Sequence, residues 1–189
     1  MTRRSLGQRF WTASVIAVLA VACAPGDGRS GGVEPGRGPS TSGRVAGDGS
    51  IPGNGSISLD DSAHPALANL DPALLAAVRK AAVDARARGV ELRVTSGWRS
   101  REYQQRLLDE AIARYRSEEE ARRWVQPPEK SNHVTGKAID IGPTDAADWL
   151  VRFGAEHGLC QAYANEMWHF ELLTTPGGRC PLPSTEPTG

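Results

Sequence analysis

The sequence predicts an α+β domain in which helices pack on a small antiparallel sheet. One observation is a run of apolar residues at helical spacing, namely Leu74, Leu75, Val78, Ala81, Ala82 and Ala85. Another is the stretch 90–95, where apolar and polar residues alternate as in a half-buried strand. Stretches of both kinds recur toward the C-terminus, and the folded domain is expected to span residues 59–182.

The first helix is predicted to begin after Asp71, a good N-cap residue, with Pro72 at the first helical position. Gly89 is expected to end this helix, because glycine readily adopts the left-handed conformation that follows helix ends. The strand 90–95 follows directly.

Two more helices are predicted before the next strand. Ser100 caps the second helix, whose larger apolar and aromatic residues are Tyr103, Leu107, Ala111, Ile112 and Tyr115. Ser117 and Glu120 form a capping box that opens a short third helix, which ends before the prolines at 127–128.

The C-terminal part of the domain is predicted to hold two strands separated by a helix. The first strand spans 138–141, and the final strand spans 167–173. The helix between them starts at Thr144 or Asp145 and is closed by Gly158.

Alternation along these two strands places three polar residues near one another. In the final strand one face carries Trp168, Phe170 and Leu172 and is expected to pack in the core, with Trp168 lining the cleft as the alternative. His169 therefore lies on the opposite face. Asp140 lies on the corresponding face of its strand, and His133 arrives from the preceding loop. Two histidines and one carboxylate with an open fourth position are the ligand set of a catalytic zinc, and Glu166 is a nearby carboxylate suited to act as the base.

The first 23 residues are predicted to be an export signal, with a basic start and an apolar run over 10–22 that is too short to span a membrane comfortably. The segment Ala20–Cys23 resembles a bacterial lipobox, so Cys23 is expected to carry lipid and anchor the chain at the outer face of the cytoplasmic membrane. An ordinary secretory signal with an incidental Cys23 is the alternative, and Arg3–Arg4 leaves both Sec and twin-arginine export open.

Residues 24–58 contain 11 Gly, 6 Ser and 4 Pro in 35 residues and are expected to form a flexible tether. Residues 183–189 are expected to form a flexible tail. With Cys23 lipidated, Cys160 and Cys180 remain, and an oxidising compartment would pair them in a disulfide. The alternative, Cys160 as a nucleophile beside His157, lacks a third group to orient the pair.

The formal net charge of zero gives the chain no overall basic field. Nucleic acid is therefore not an expected partner. A monomer is the default expectation.

Three motifs occur in order along the domain. They are Ser96–Gly97–Trp98–Arg99–Ser100 with Gln104, then Ser131–Asn132–His133 with Gly136–Lys137–Ala138–Ile139–Asp140, and finally Glu166–Met167–Trp168–His169. Together they resemble the zinc D-Ala-D-Ala carboxypeptidases, the VanY-like branch of the LAS metallopeptidases, over about 70–173. Met167 departs from the proline often found at its position. The resemblance implies a fold like that of Hedgehog domains and D-Ala-D-Ala peptidases.

The resemblance also implies a role for each motif residue. The ligands of Zn²⁺ would be His133, Asp140 and His169. Glu166 would take a proton from the activated water and return it to the leaving amine. Arg99 would act on the developing oxyanion or on a substrate carboxylate. Ser131 and Gln104 would contact the substrate.

The leading functional hypothesis is an exported D,D-carboxypeptidase that removes terminal D-Ala from peptidoglycan stem peptides. A peptidoglycan endopeptidase of the same family is one alternative, and a D,D-dipeptidase is disfavoured by the export signal. A zinc-containing, wall-binding lipoprotein without activity is a further alternative. A penicillin-sensitive serine peptidase is disfavoured because the Ser-x-x-Lys motif is absent.

Overall fold

The computed structural model describes residues 47–185. Within this range the helices are α1 Pro65–Ala68, α2 Pro72–Arg86, α3 Arg101–Tyr115, α4 Glu118–Arg122 and α5 Thr144–Phe153. The strands are β1 Arg93–Ser96, β2 Ala138–Gly142, β3 Leu159–Gln161 and β4 His169–Leu172. Short 3-10 turns cover Pro52–Asn54 and Gly154–His157.

The four strands form one antiparallel sheet in the order β1-β2-β4-β3. Ser96 of β1 lies opposite Asp140 of β2, and Asp140 lies opposite His169 of β4. These three residues therefore form one row across the sheet. The predicted α+β class with a small antiparallel sheet is confirmed.

One face of the sheet packs into the main core. Ile139, Ile141 and Phe170 are fully buried there, together with apolar residues of α2 and α5. Helix α2 begins as predicted, since the Asp71 carboxylate accepts hydrogen bonds from the amides of Ala73 (2.8 Å) and Leu74 (3.1 Å). The alternate residues of β2 and β4 are left to face the other side.

The side chains of Ser100 and Ser117 cap α3 and α4 as the sequence predicted. Ser100 Oγ accepts from the Tyr103 amide at 3.0 Å, and Ser117 Oγ accepts from the Glu120 amide at 3.2 Å. The two helices pack around a small separate cluster of Leu108, Ala111 and Ala121.

Several elements differ from the expectations. Helix α1 and strand β3 were not predicted, because each is too short to show a period. The strand expected over 90–95 forms at Arg93–Ser96. Helix α5 ends at Phe153, and the 3-10 turn Gly154–His157 follows it and is capped by Gly158. The strand expected over 167–173 starts at His169.

The expectation that Trp168 packs in the core with Phe170 is wrong. Because β4 starts at His169, Trp168 lies in the preceding turn and escapes the strand alternation. Its side chain is 42% exposed, whereas Phe170 is fully buried.

Residues 47–58, which we call the N-terminal strap, lie within the predicted tether but pack against the domain. Ile57 and Val94 exchange backbone hydrogen bonds of 2.9 and 3.0 Å along the edge of β1. Arg93 donates to Ser56 Oγ at 2.8 Å, and Ile51 packs against the main core. The folded part thus begins before the predicted boundary at residue 59.

The C-terminal segment is also held to the domain. Cys160 and Cys180 form the disulfide that the sequence predicted, so Cys160 is not a free nucleophile. The Ser184 amide donates to Ala162 O at 2.8 Å, and Ser184 O accepts from the Ala164 amide at 2.9 Å. This part of the predicted tail therefore packs against the segment between β3 and β4.

The predicted signal, Cys23 and the tether up to residue 46 lie outside the described residues, as does the end of the tail after residue 185. Among residues 47–185, no helix has the length and apolar character needed to cross a membrane.

Candidate functional site

Three potential ligand atoms meet on the polar face of the sheet. His133 Nε2 lies 3.2 Å from His169 Nδ1 and 3.4 Å from Asp140 Oδ1. His169 Nδ1 lies 3.2 Å from the same Asp140 oxygen. All three side chains are buried. The structure thus brings together the three residues that the sequence singled out as zinc ligands.

Hydrogen bonds on the far side of each ring fix the nitrogens that face inward. His133 Nδ1 donates to the carbonyl oxygen of Gly97 at 2.8 Å, since a carbonyl can only accept. The lone pair of His133 is therefore on Nε2. His169 Nε2 lies 2.9 Å from Glu171 Oε1 and donates to this carboxylate, which leaves Nδ1 to face Asp140.

The donor set fits a metal ion. A tetrahedral ion with ligands at about 2.1 Å needs ligand atoms about 3.4 Å apart, which is close to the three observed distances of 3.2, 3.4 and 3.2 Å. Asp140 Oδ1 is buried, and none of the described residues donates a well-directed hydrogen bond to it. A buried carboxylate oxygen without a donor is costly unless a cation lies against it.

The three ligand-like side chains shift one another's pKa values. Burial opposes the charged form of His169, but the nearby carboxylates of Asp140 and Glu171 outweigh burial and raise its pKa to about 9. Burial, followed by the charge of Arg99, lowers the pKa of His133. Burial also works to raise the pKa of Asp140, yet its contacts with both imidazoles hold that pKa below the usual range. A metal ion bound by His169 would compete with a proton for this imidazole.

Glu166 lies beside the three ligand-like side chains, but its carboxylate is not part of their cluster. Its Oε2 is 3.6 Å from His169 Nδ1, and burial raises the pKa of its carboxyl to about 7. The turn that carries it is held by two backbone hydrogen bonds: the Glu166 amide donates to Tyr163 O at 3.2 Å, and the His169 amide donates to Glu166 O at 3.1 Å. Met167 packs against the main core and so supports this turn.

Arg99 reaches the site from the loop between β1 and α3. Its Nη2 donates to Asp140 Oδ2 at 3.2 Å, its Nε to Ser96 Oγ at 2.8 Å and its Nη1 to Gln104 Oε1 at 3.1 Å. Gln104 is buried and in turn donates to Gln126 O at 2.7 Å. The oxygen and the nitrogen of the Gln104 side-chain amide thus each have a protein partner. Gln104 lines the pocket and helps to hold Arg99 in place.

A pocket opens over these residues. Ser131 lies in its wall, and its contact with substrate stays a prediction. Two indoles border it, because Trp124 and Trp168 line the pocket and are 44% and 42% exposed. Tyr163 adds a phenol whose oxygen accepts from Gln126 Nε2 at 3.1 Å. The pocket therefore combines a polar floor with an aromatic rim.

Sequence reasoning missed the role of Glu171. This carboxylate accepts from His169 Nε2 and from Asn132 Nδ2, each at 2.9 Å, and it links the two motifs that carry the histidines. The signal was available, because Glu171 lies two residues after His169 on the same face of β4. Asn132 belongs to the second of the three motifs, but the motif alone assigned it no role.

Comparison with known sequences gives a family. The family model described as D-alanyl-D-alanine carboxypeptidase (VanY) matches residues 67–175, more than half of the chain. A D-alanyl-D-alanine carboxypeptidase of Enterococcus faecalis is 32% identical over 114 residues. This alignment covers 47% of the chain and only 42% of that relative.

Solved structures with a similar fold include peptidases of the same type. A variant of the vancomycin resistance D,D-pentapeptidase VanY in complex with Zn(II) is 27% identical with a TM-score of 0.51, over 58% of this chain and 73% of that one. VanYB in complex with D-Alanine-D-Alanine is 28% identical with a TM-score of 0.51, over 54% and 70%. The D,D-dipeptidase VanXYg in complex with a D-Ala-D-Ala phosphinate analogue is 25% identical with a TM-score of 0.52, over 65% and 57%.

The three ligand-like side chains, the adjacent glutamate and the arginine all lie inside the region that the family model matches. The family predicted from the three motifs is confirmed. The chain belongs to the VanY family of D-alanyl-D-alanine carboxypeptidases.

Proposed function

We propose that this protein is an exported zinc D,D-carboxypeptidase that removes the terminal D-Ala from peptidoglycan stem peptides. The observation that carries the proposal is the convergence of His133 Nε2, His169 Nδ1 and Asp140 Oδ1. The carboxylate of Glu166 lies beside this cluster. Family membership and the relatives bound to Zn(II) and to D-Ala-D-Ala support it.

The ligands proposed for zinc are His133, Asp140 and His169. When bound there, zinc supplies Lewis-acid chemistry that polarises a carbonyl and lowers the pKa of water to about 7. Three protein ligands leave room for water or substrate, as catalytic sites require. A structural zinc site would instead be closed by four protein ligands.

Glu166 is proposed as the general base. Its burial favours the neutral acid, so its raised pKa suits a group that first accepts and then returns a proton near neutral pH. In this scheme Glu166 takes the proton of the attacking water and delivers it to the amine of the departing D-Ala.

Arg99 is proposed to stabilise negative charge on the substrate. Its guanidinium is fixed by Ser96 and Gln104 and lines the pocket next to Asp140. A preorganised cation acts on a developing oxyanion without needing to move, which is the most effective form of electrostatic stabilisation. Ser131 lies in the same wall, where its hydroxyl is proposed to donate to the terminal carboxylate.

The deciding experiment is mass spectrometry of a stem pentapeptide ending in D-Ala-D-Ala after incubation with the zinc-loaded protein. We expect the loss of one alanine, its abolition by EDTA and its restoration by zinc. A matched peptide ending in L-Ala should remain intact.

The other outcomes separate the alternatives. An internal cut would favour a peptidoglycan endopeptidase. Release of an intact dipeptide would favour a dipeptidase. No cleavage of soluble or cross-linked substrate, with zinc confirmed by elemental analysis, would favour a wall-binding protein.

Export and anchoring through Cys23 are proposed from the sequence of the first 23 residues. Full-length protein made in a bacterial host with tritiated palmitate should become labelled and sediment with membranes. Cys23→Ser should lose both properties. An unlabelled wild-type protein in the medium would instead support an ordinary secretory signal.

A further inference from the structure

The loop that carries Arg99 is held from three directions by backbone hydrogen bonds. The Trp98 amide donates to Ala66 O at 2.9 Å, and the Arg99 amide donates to His133 O at 3.2 Å. The third bond comes from the N-terminal strap, because the Ser100 amide donates to Asp48 O at 2.9 Å. The strap thus touches the loop immediately beside Arg99.

Gly49 fits so closely against this loop that no side chain can be added. A Cβ atom at Gly49 would lie 2.1 Å from the Trp98 carbonyl oxygen and 3.2 Å from the Trp98 ring. Gly49 also has a φ of +85°, which favours glycine. Both features indicate that the strap and the backbone of Trp98 define one another's positions.

The strap is also fixed to helix α3. Asp48 pairs with Arg106 of α3, and its other carboxylate oxygen accepts from the Ser50 amide at 3.0 Å. Arg106 lies two residues after Gln104, which accepts the hydrogen bond from Arg99 Nη1. One segment therefore ties together the loop that carries Arg99 and the helix that orients its guanidinium.

We propose that the N-terminal strap, through Asp48 and Gly49, is a positioning element for Arg99. It lies upstream of the region matched by the family model, residues 67–175. The strap touches none of the three proposed metal ligands in these contacts; it acts on Arg99 through Trp98, Ser100 and Arg106. The consequence for turnover rests on the proposed function, whereas the consequence for the Arg99 side chain does not.

The chain offers a matched pair of substitutions. Gly49→Ala and Gly53→Ala both place alanine at a positive φ, +85° and +70° respectively. Only the first drives Cβ into the Trp98 carbonyl, since a Cβ atom added at Gly53 would meet nothing within 4 Å. A difference between the two variants at the Arg99 side chain therefore tests the contact with the Arg99 loop.

The first readout is the Arg99 Nε–H signal in a nitrogen-15 NMR spectrum of the full chain, assigned by its loss in Arg99→Lys. This proton is hydrogen bonded to Ser96 Oγ, so we expect a sharp, slowly exchanging signal in the wild type. Gly49→Ala should shift or broaden it and speed its exchange at least tenfold, and Gly53→Ala should leave it unchanged. Equal spectra for the two variants would overturn the proposal.

The second readout is turnover of the stem pentapeptide. At saturating zinc, we expect kcat to fall at least tenfold in Gly49→Ala and less than twofold in Gly53→Ala. If the wild type cleaves no peptide, the proposed function fails, but the NMR comparison still decides the role of the strap. If Gly49→Ala does not fold, Asp48→Ala replaces it, with a changed Arg99 signal in support and an unchanged one against.

Discussion

His169 donates from Nε2 to Glu171 Oε1 across 2.9 Å, and this bond decides which nitrogen of His169 faces Asp140. Carboxylates that hold metal-binding histidines in this way fix the tautomer and the ring orientation of the ligand. Glu171 is itself held by Asn132, the neighbour of His133 in the sequence. The two histidines are therefore coupled through a carboxylate that lies outside the candidate metal cluster.

Replacing Glu171 with Gln should weaken zinc binding by about 10–100-fold. The carboxylate accepts from His169 through Oε1 and from Asn132 through Oε2. In glutamine one of these two positions carries an NH2 group, which cannot accept a hydrogen bond. The affinity is measured by competition with a chromophoric chelator. Glu110→Gln, at an exposed position of α3, should bind zinc like the wild type. Unchanged affinity in Glu171→Gln would mean that His169 keeps its tautomer without this bond.

Glu166→Gln should show the opposite pattern. The amide keeps the shape of the side chain but cannot accept a proton, so turnover should fall by about 10²–10⁴-fold, the usual contribution of a general base. Zinc affinity should change little, because Glu166 is beside the three ligands and is not one of them. Steady-state kinetics at saturating zinc measure the first effect and chelator competition the second. Full activity in this variant would remove Glu166 from the proposed mechanism.

Arg99→Lys tests whether the forked guanidinium matters beyond its charge. Lysine keeps the positive charge but cannot reach Ser96, Gln104 and Asp140 together as the guanidinium does. We expect kcat to fall by about 10²–10³-fold, as for the loss of one oxyanion-stabilising group. Arg101→Lys, on the exposed start of α3, is the control and should retain wild-type kinetics. A rise in KM alone would instead assign Arg99 to the binding of the substrate carboxylate.

The sequence predicted the elements whose signals are local. The caps at Asp71, Ser100 and Ser117 are side-chain contacts within a few residues, and each helix begins where its cap indicated. The two-residue period of the strands put Asp140 and His169 on one face, and the sheet register then places them opposite each other. Local rules were sufficient for the central part of the candidate site.

What the sequence did not reveal depends on contacts between distant segments. Strand β3 exists because it pairs with β4, and the strap is ordered through contacts with Val94, Ser100 and Arg106. A composition rich in glycine and serine suggested a tether there, because composition does not register such partners. The role of Glu171 likewise depends on Asn132, which is 39 residues away along the chain.

The Cys160–Cys180 disulfide should stabilise the fold without contributing to the metal site. It closes a loop with a sequence separation of 20 residues, and the chain-entropy model gives such a loop about 3 kcal/mol. The variant Cys160→Ala/Cys180→Ser should therefore lose about 3 kcal/mol in the free energy of unfolding, measured by urea denaturation of the zinc-free protein. Reductant should destabilise the wild type by a similar amount and leave the variant unchanged.

Loss of the disulfide should leave turnover intact. Ser184, in the segment after Cys180, pairs with Ala162 and Ala164 close to Glu166, so kcat measured well below the unfolding temperature tests whether this pairing depends on the disulfide. Preserved kcat would show that this pairing survives without the disulfide, whereas a large loss would make the bridge part of the support for Glu166.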